Sequence, residues 1–252
     1  MLNAFLWGLF ASSSLILGGV IASQFSLSKK AIGMILGFGS GTLISAVAYE
    51  LVFESIKMAR MTGFPGMGFF AGACTFFFAD RLIERFGAGD RMSPDKSPQS
   101  RLIIPMVLAI ILDGIPESLV IGLNLSEKGF ISPALLVAVF ISNLPESISG
   151  STGMKASGWS RKTIILLWLS ISLVCAVSTI IGFSLFKGVS VRWMAFTLSF
   201  AGGAILMMIA NSMVPEAYEH AGKLAGVFTI LGFTLAVAII ILETSDSEMI
   251  GV

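Results

Sequence analysis

The chain has 252 residues, of which 55% are hydrophobic and only 12% charged, with a formal net charge of +1. Soluble domains carry about 25% charged residues, so a water-facing globule, a disordered chain and a disulfide scaffold are excluded. The same balance excludes a nucleic-acid partner, which demands a basic stripe, and leaves a polytopic membrane protein whose first partner is the lipid bilayer.

A helix needs about 20 apolar residues to cross a bilayer. Eight stretches qualify, at about 3–26, 31–56, 64–84, 102–125, 131–154, 163–186, 191–215 and 222–242. The predicted fold class is therefore an all-α polytopic membrane protein with eight transmembrane helices, a single transmembrane domain over 1–252. The segment of about 86–101 is its one long loop. The first stretch has the apolar character of a signal peptide, but no Lys or Arg precedes Lys29. The basic leader of such peptides is missing, and a retained span is expected. Cys74 and Cys175 both lie in apolar stretches and read as small buried side chains.

Cations set the orientation. With eight spans and the N-terminus outside, the inner side collects Lys29, Lys30, Arg81, Arg85, Arg91, Lys96, Arg101, Lys155, Arg161, Lys162 and Lys223. The outer side keeps Lys57, Arg60, Lys128, Lys187 and Arg192. This positive-inside bias predicts a multi-pass protein of the cell membrane with both termini outside and a cytoplasmic loop at about 86–101.

Within the second stretch, Gly33, Gly37 and Gly41 share one helix face. Without Cβ atoms they let a neighbouring helix approach closely, a packing role rather than a chemical one. The same stretch matches the seventh: Phe38-Gly39-Ser40-Gly41-Thr42-Leu43-Ile44 lies over Phe200-Ala201-Gly202-Gly203-Ala204-Ile205-Leu206, at an offset of 162 residues. Matched helices five apart cross the membrane in opposite senses, an inverted repeat as in many secondary transporters. The fourth and fifth helices then lie between two triplets, a 3+2+3 arrangement. Chance likeness between apolar helices rich in small residues is the competing reading.

Chemistry concentrates in the fourth and fifth helices. Asp113-Gly114-Ile115-Pro116-Glu117-Ser118 aligns without gaps to Ser142-Asn143-Leu144-Pro145-Glu146-Ser147. Asp113 and Glu117 are one turn apart on one face, as are Ser142 and Glu146, with Asn143 beside them. Pro116 and Pro145 cannot donate backbone hydrogen bonds, which frees the carbonyls of Leu112 and Ile141. Each proline reads either as a plain kink or as part of an ion-binding break. Asp113, Glu117 and Glu146 set three carboxylates near mid-membrane with no Lys or Arg in either span. A charge there costs at least ~2.5 kcal/mol, so the acids hold protons or hold a cation.

These motifs resemble the ZIP family of divalent metal transporters, whose fourth helix carries His-Asn-x-Pro-Glu-Gly and whose fifth carries a similar polar-polar-x-Pro-Glu run. Ala156-Ser157-Gly158-Trp159-Ser160-Arg161 and Val214-Pro215-Glu216-Ala217 extend the likeness over essentially the whole chain. The resemblance implies eight helices arranged three, two and three. It also implies a mid-membrane transport site at Asp113, Glu117, Ser142, Asn143 and Glu146. The expected function is movement of divalent metal ions (zinc, manganese, iron or similar) toward the cytoplasm. The metal would be substrate, with no cofactor and no catalytic residue, and a homodimer is compatible with the family.

The departures bear on selectivity. Asp113 stands where the family has histidine, Gly114 supplies no side-chain ligand, and residues 163–186 contain no acid to bridge a second metal. All-oxygen sites suit harder ions such as manganese or magnesium, although zinc accepts carboxylates. Two other classes stay open: a transport-inactive ZIP-like sensor or scaffold, and an intramembrane hydrolase. The hydrolase reading lacks both His-Glu-x-x-His and Gly-x-Ser-x-Gly.

Three polar groups remain outside that site. Glu50 and Glu54 read as an outer funnel that attracts cations, or as side chains that pair with Lys57 or snorkel to the interface. Asp80, Arg81, Glu84 and Arg85 read as an interfacial ion-pair cluster. Glu216, Glu219 and His220 sit at the inner end of the seventh helix, where the lone histidine reads as a solvated cap and a weak ion site is the alternative.

Overall fold

The computed structural model describes residues 1–25, 27–59, 62–83, 85 and 103–250, and is helical throughout with no strand among them. The helices are α1 (Leu2–Gln24), α2 (Lys29–Met58), α3 (Phe64–Ile83), α4 (Ile103–Lys128), α5 (Pro133–Ala156), α6 (Arg161–Leu185), α7 (Val191–Ala221) and α8 (Lys223–Ile250). Seven of them, α1 to α3 and α5 to α8, are long and apolar enough to cross a membrane. The remaining helix, α4, has 26 residues, and at 1.5 Å each it rises about 39 Å, beyond the ~30 Å hydrocarbon core. The predicted loop at about 86–101, with Arg91 and Lys96, lies outside the described residues, as does Glu84.

Local signals set the helix ends. Ser28, Ser132 and Ser160 act as N-caps, their hydroxyls accepting from the amides of Ala31, Leu135 and Thr163. Pro133 follows Ser132 at the first turn of α5, where its missing N–H is not needed. Gly129 takes a positive φ of 74° just past α4, which a side chain would resist. Asn124 of α4 then accepts from the Ser132 amide at 3.1 Å. This bond pins the short α4–α5 link and fixes the register of the two helices.

Both α2 and α7 change winding part-way. Val47–Phe53 in α2 and Ile209–Met213 in α7 are π-helical. They begin at corresponding places in the two matched stretches, Val47 and Ile209 being separated by the same offset as Phe38 and Phe200. A π segment inserts a residue into the helical ladder and re-aims the side chains beyond it.

The most extensive helix contacts are α2 with α7, α3 with α7, α2 with α8 and α1 with α6, followed by α1 with α5 and α4 with α6. Small residues make them. A Cβ on Gly37 would lie 2.7 Å from the Ala225 carbonyl oxygen, and one on Gly41 would overlap the carbonyl of Thr229. On the other pair, a Cβ on Gly203 would overlap the carbonyl of Phe69, and one on Gly72 that of Phe200. The expected packing face of α2 is thus the seam to α8 and the end of α7. Dispersion at close approach holds such seams, because lipid offers no hydrophobic drive between helices.

Candidate transport site in helices four and five

Pro116 and Pro145 lie inside α4 and α5, and both helices run on through them. The prolines therefore do not interrupt the helices. Beside the second proline, α2 comes very close: a Cβ on Gly39 would sit 3.2 Å from Ser142 Cα and 3.5 Å from Pro145. Gly39, which sequence reasoning gave no role, is the residue that lets α2 lean on the site.

All five expected site residues are buried, with Asp113 1% exposed, Glu117 3%, Ser142 2%, Asn143 3% and Glu146 9%. Ser142 Oγ donates to Glu117 Oε1 at 3.4 Å and to the Val139 carbonyl at 3.0 Å. The first contact joins the two motifs across the helix pair. Asp113, one turn before Glu117, adds a like charge at the same place when both acids are ionised. Among the described residues, no three His, Cys, Asp or Glu side chains gather tightly enough to form a metal-ligand group. The contact between motifs is there, and a closed set of three acids is not.

Cys175 of α6 was read only as a small buried residue, and it is buried at 3%. Its Sγ lies 3.9 Å from the Gly114 carbonyl, and a Cβ on Gly114 would meet that sulfur at 3.0 Å. Gly114 thus marks where α6 touches α4. Its pairing with Cys175 was invisible in the sequence, which has no local signal linking residues so far apart.

A second line of polar groups continues from the site. Ser149, three residues after Glu146 on α5, donates to Glu216 Oε1 of α7 at 3.4 Å, and Glu216 is 9% exposed. Ser149 went unremarked in the sequence, although its spacing from Glu146 puts both on one side of the helix. His220 was expected to be a solvated cap. Instead its side chain is only 2% exposed, with Nε2 3.9 Å from Glu216 Oε1. At the other end of α2, Glu54 pairs with Lys57 at 2.8 Å, while Glu50 lies 8% exposed within the π segment. Of the expected cluster on α3, Asp80 is buried and Arg81 sits over the Phe77 ring.

No protein-family profile matches the chain. Over 208 residues, 81% of this chain, it is 24% identical to an Arabidopsis thaliana protein that carries the name of a zinc transporter, with 33% of that protein covered. Over 247 residues, 92% of this chain, it is 23% identical to the zinc transporter ZIPB of Bordetella bronchiseptica, with 78% of that protein covered. The chain spans about a third of the length of the plant relative and most of the bacterial one. It is similar to ZIP-type zinc transporters and bears the apolar helices of a multi-pass membrane protein.

Proposed function

We propose that the chain is a ZIP-type transporter that moves divalent metal ions toward the cytoplasm through the carboxylates of α4 and α5. The observation that carries this reading is the Ser142–Glu117 contact. It brings the two Pro-Glu-Ser motifs together in the buried centre of two helices whose lysines, Lys128 and Lys155, stand only at their ends. Asp113, Glu117, Ser142, Asn143 and Glu146 are the proposed ligands, all of them oxygen donors. Both termini face outward in this reading, and the eight helices follow the 3+2+3 inverted repeat. The placement of the π segments supports that repeat. So does the contact pattern, in which α2 on α8 answers α7 on α3.

In mechanism, buried carboxylates replace part of the ion's hydration shell, and their negative charge offsets the desolvation that mid-membrane burial imposes. The hydroxyl of Ser142 holds Glu117 toward α5. A cation arriving between Glu117 and Glu146 draws the two helices together, completing a set that is open without it.

The test is uptake by proteoliposomes of zinc and manganese, each alone. The parent should accumulate at least one of them, and Glu117→Gln or Glu146→Gln should stop accumulation while gel filtration still shows a folded protein. Full uptake by Glu146→Gln would remove it from the site. A transport-inactive sensor is the second reading, favoured by the absence of a compact three-acid group among the described residues. It is adopted if the parent binds these metals but transports none.

A further inference from the structure

We propose a second cation site on the inner side of the first, made by His220 and Glu216 of α7 with the hydroxyl of Ser149 from α5. It serves as a release station for ions leaving Glu146, and in that role it rests on the transport reading above.

The geometry begins with a gap. His220 Nε2 is buried, its side chain only 2% exposed, and it has no hydrogen-bond partner. Burying such a nitrogen unmatched is unfavourable by about 1–3 kcal/mol, so its placement calls for a ligand. The atom it faces is Glu216 Oε1, at 3.9 Å. That is too far for a hydrogen bond. It is also within the sum of a zinc–nitrogen and a zinc–oxygen bond, about 4.2 Å. One divalent ion fits between the two atoms at a bent angle of about 140° for bonds of that length, and a small rotation of either side chain brings it closer to tetrahedral.

The site is held from several sides. The same carboxylate oxygen, Glu216 Oε1, accepts from Ser149 Oγ at 3.4 Å, so the hydroxyl of α5 sits at the edge of the gap. Gly33 of α2 lets that helix pack against the base of His220, since a Cβ there would lie 2.8 Å from His220 Cβ. One helical turn separates Glu216 from His220, which aligns both on one face of α7. Ser149 lies three residues beyond Glu146, about 4.5 Å further along the helix axis. The polar line therefore runs from Glu117 and Ser142, past Glu146, to Ser149, Glu216 and His220.

Chemistry assigns the ligand class. Imidazole favours zinc, copper, iron and nickel over magnesium or calcium. The chain has one histidine, and it stands here rather than among the carboxylates of α4. Ser149 adds a further oxygen donor beside these two protein ligands. Such a station holds an ion more weakly than a closed cage, as a path that must also release requires.

The experiment uses the full chain in detergent carrying Glu117→Gln and Glu146→Gln, so that the first site is removed. Equilibrium binding of labelled zinc, with manganese as competitor, should show one remaining weak site that prefers zinc. Adding His220→Gln should weaken that binding by about tenfold or more, a loss found even for groups that only support a ligand. Glu216→Gln, nearly isosteric with the parent, should do the same and gives an independent reading if His220→Gln fails gel filtration. No residual zinc site, or one unchanged by His220→Gln or Glu216→Gln, overturns the proposal. Absence of uptake by the parent with this binding intact would sink the transport reading and leave the site standing.

Discussion

Ser12 and Ser172 exchange hydrogen bonds across α1 and α6. Ser12 Oγ shares its proton between the Gly8 carbonyl of its own helix at 2.8 Å and the Ser172 carbonyl at 3.2 Å, and Ser172 Oγ donates to the Ser12 carbonyl at 2.8 Å. Both side chains are buried, at 2% and 0% exposure. A reciprocal pair of this kind forms where two helices meet about a local twofold, because each residue then sees the other in the same setting. In the proposed repeat, α1 and α6 are counterparts, and a mutual contact between them is what that repeat predicts. Gly8 keeps the seam tight nearby, since a Cβ there would press on Thr179.

The serine pair should be measurably coupled. Interhelical hydrogen bonds in membranes contribute about 0.6 kcal/mol on average and up to ~1.7. We expect Ser12→Ala and Ser172→Ala each to destabilise the fold by about that amount. A double-mutant cycle from reversible unfolding in bicelles would read the coupling, and strictly additive effects would show that the bonds act independently.

Two glycines should respond in opposite ways to the same change. Gly41→Ala places a methyl against the Thr229 carbonyl, and backbone cannot swing aside as a side chain can. We expect destabilisation of about 1–3 kcal/mol. Gly226 of α8 has nothing within 4 Å of its would-be Cβ, so Gly226→Ala should be neutral or stabilising by up to about 1 kcal/mol. Thermal unfolding of both variants in one detergent checks the contrast.

Selectivity should follow the ligand at residue 113. In the proposed site, three carboxylates around one divalent ion would exceed its charge by one, and all their donors are oxygen. Asp113→His leaves two carboxylates and adds a nitrogen suited to zinc. The ratio of zinc to manganese taken up from an equimolar mixture should rise in this variant. An unchanged or lower ratio would mean that residue 113 does not coordinate the ion.

Orientation is open to a direct test on the two ends of α6. Lys162 and Lys187 are both exposed, and α6 separates them. In a background with Cys74 and Cys175 replaced by alanine, an impermeant thiol reagent on intact cells should modify Lys187→Cys and spare Lys162→Cys. The reverse pattern would turn the molecule over and exchange the proposed inner and outer ends.

The sequence by itself determined the helices, because apolar runs of bilayer length leave no other way to satisfy the backbone. It also determined the α2 packing face, since Gly33, Gly37 and Gly41 recur at the helical period, and the two Pro-Glu-Ser motifs, whose acids stand out against apolar neighbours. What it left undetermined was every contact between distant helices. The burial of His220 against Glu216, the touch of Cys175 on Gly114 and the closeness of Gly39 to Ser142 have no local signature. They arise only when crossing angles bring the helices together. The winding change at Val47 and Ile209 belongs to the same group, because a π segment depends on what the helix packs against as much as on its residues. Spacing along one helix is fixed by the geometry of the backbone, and so it can be read from the chain. Distance between helices is set by the sum of many small contacts, and only the folded structure carries it out.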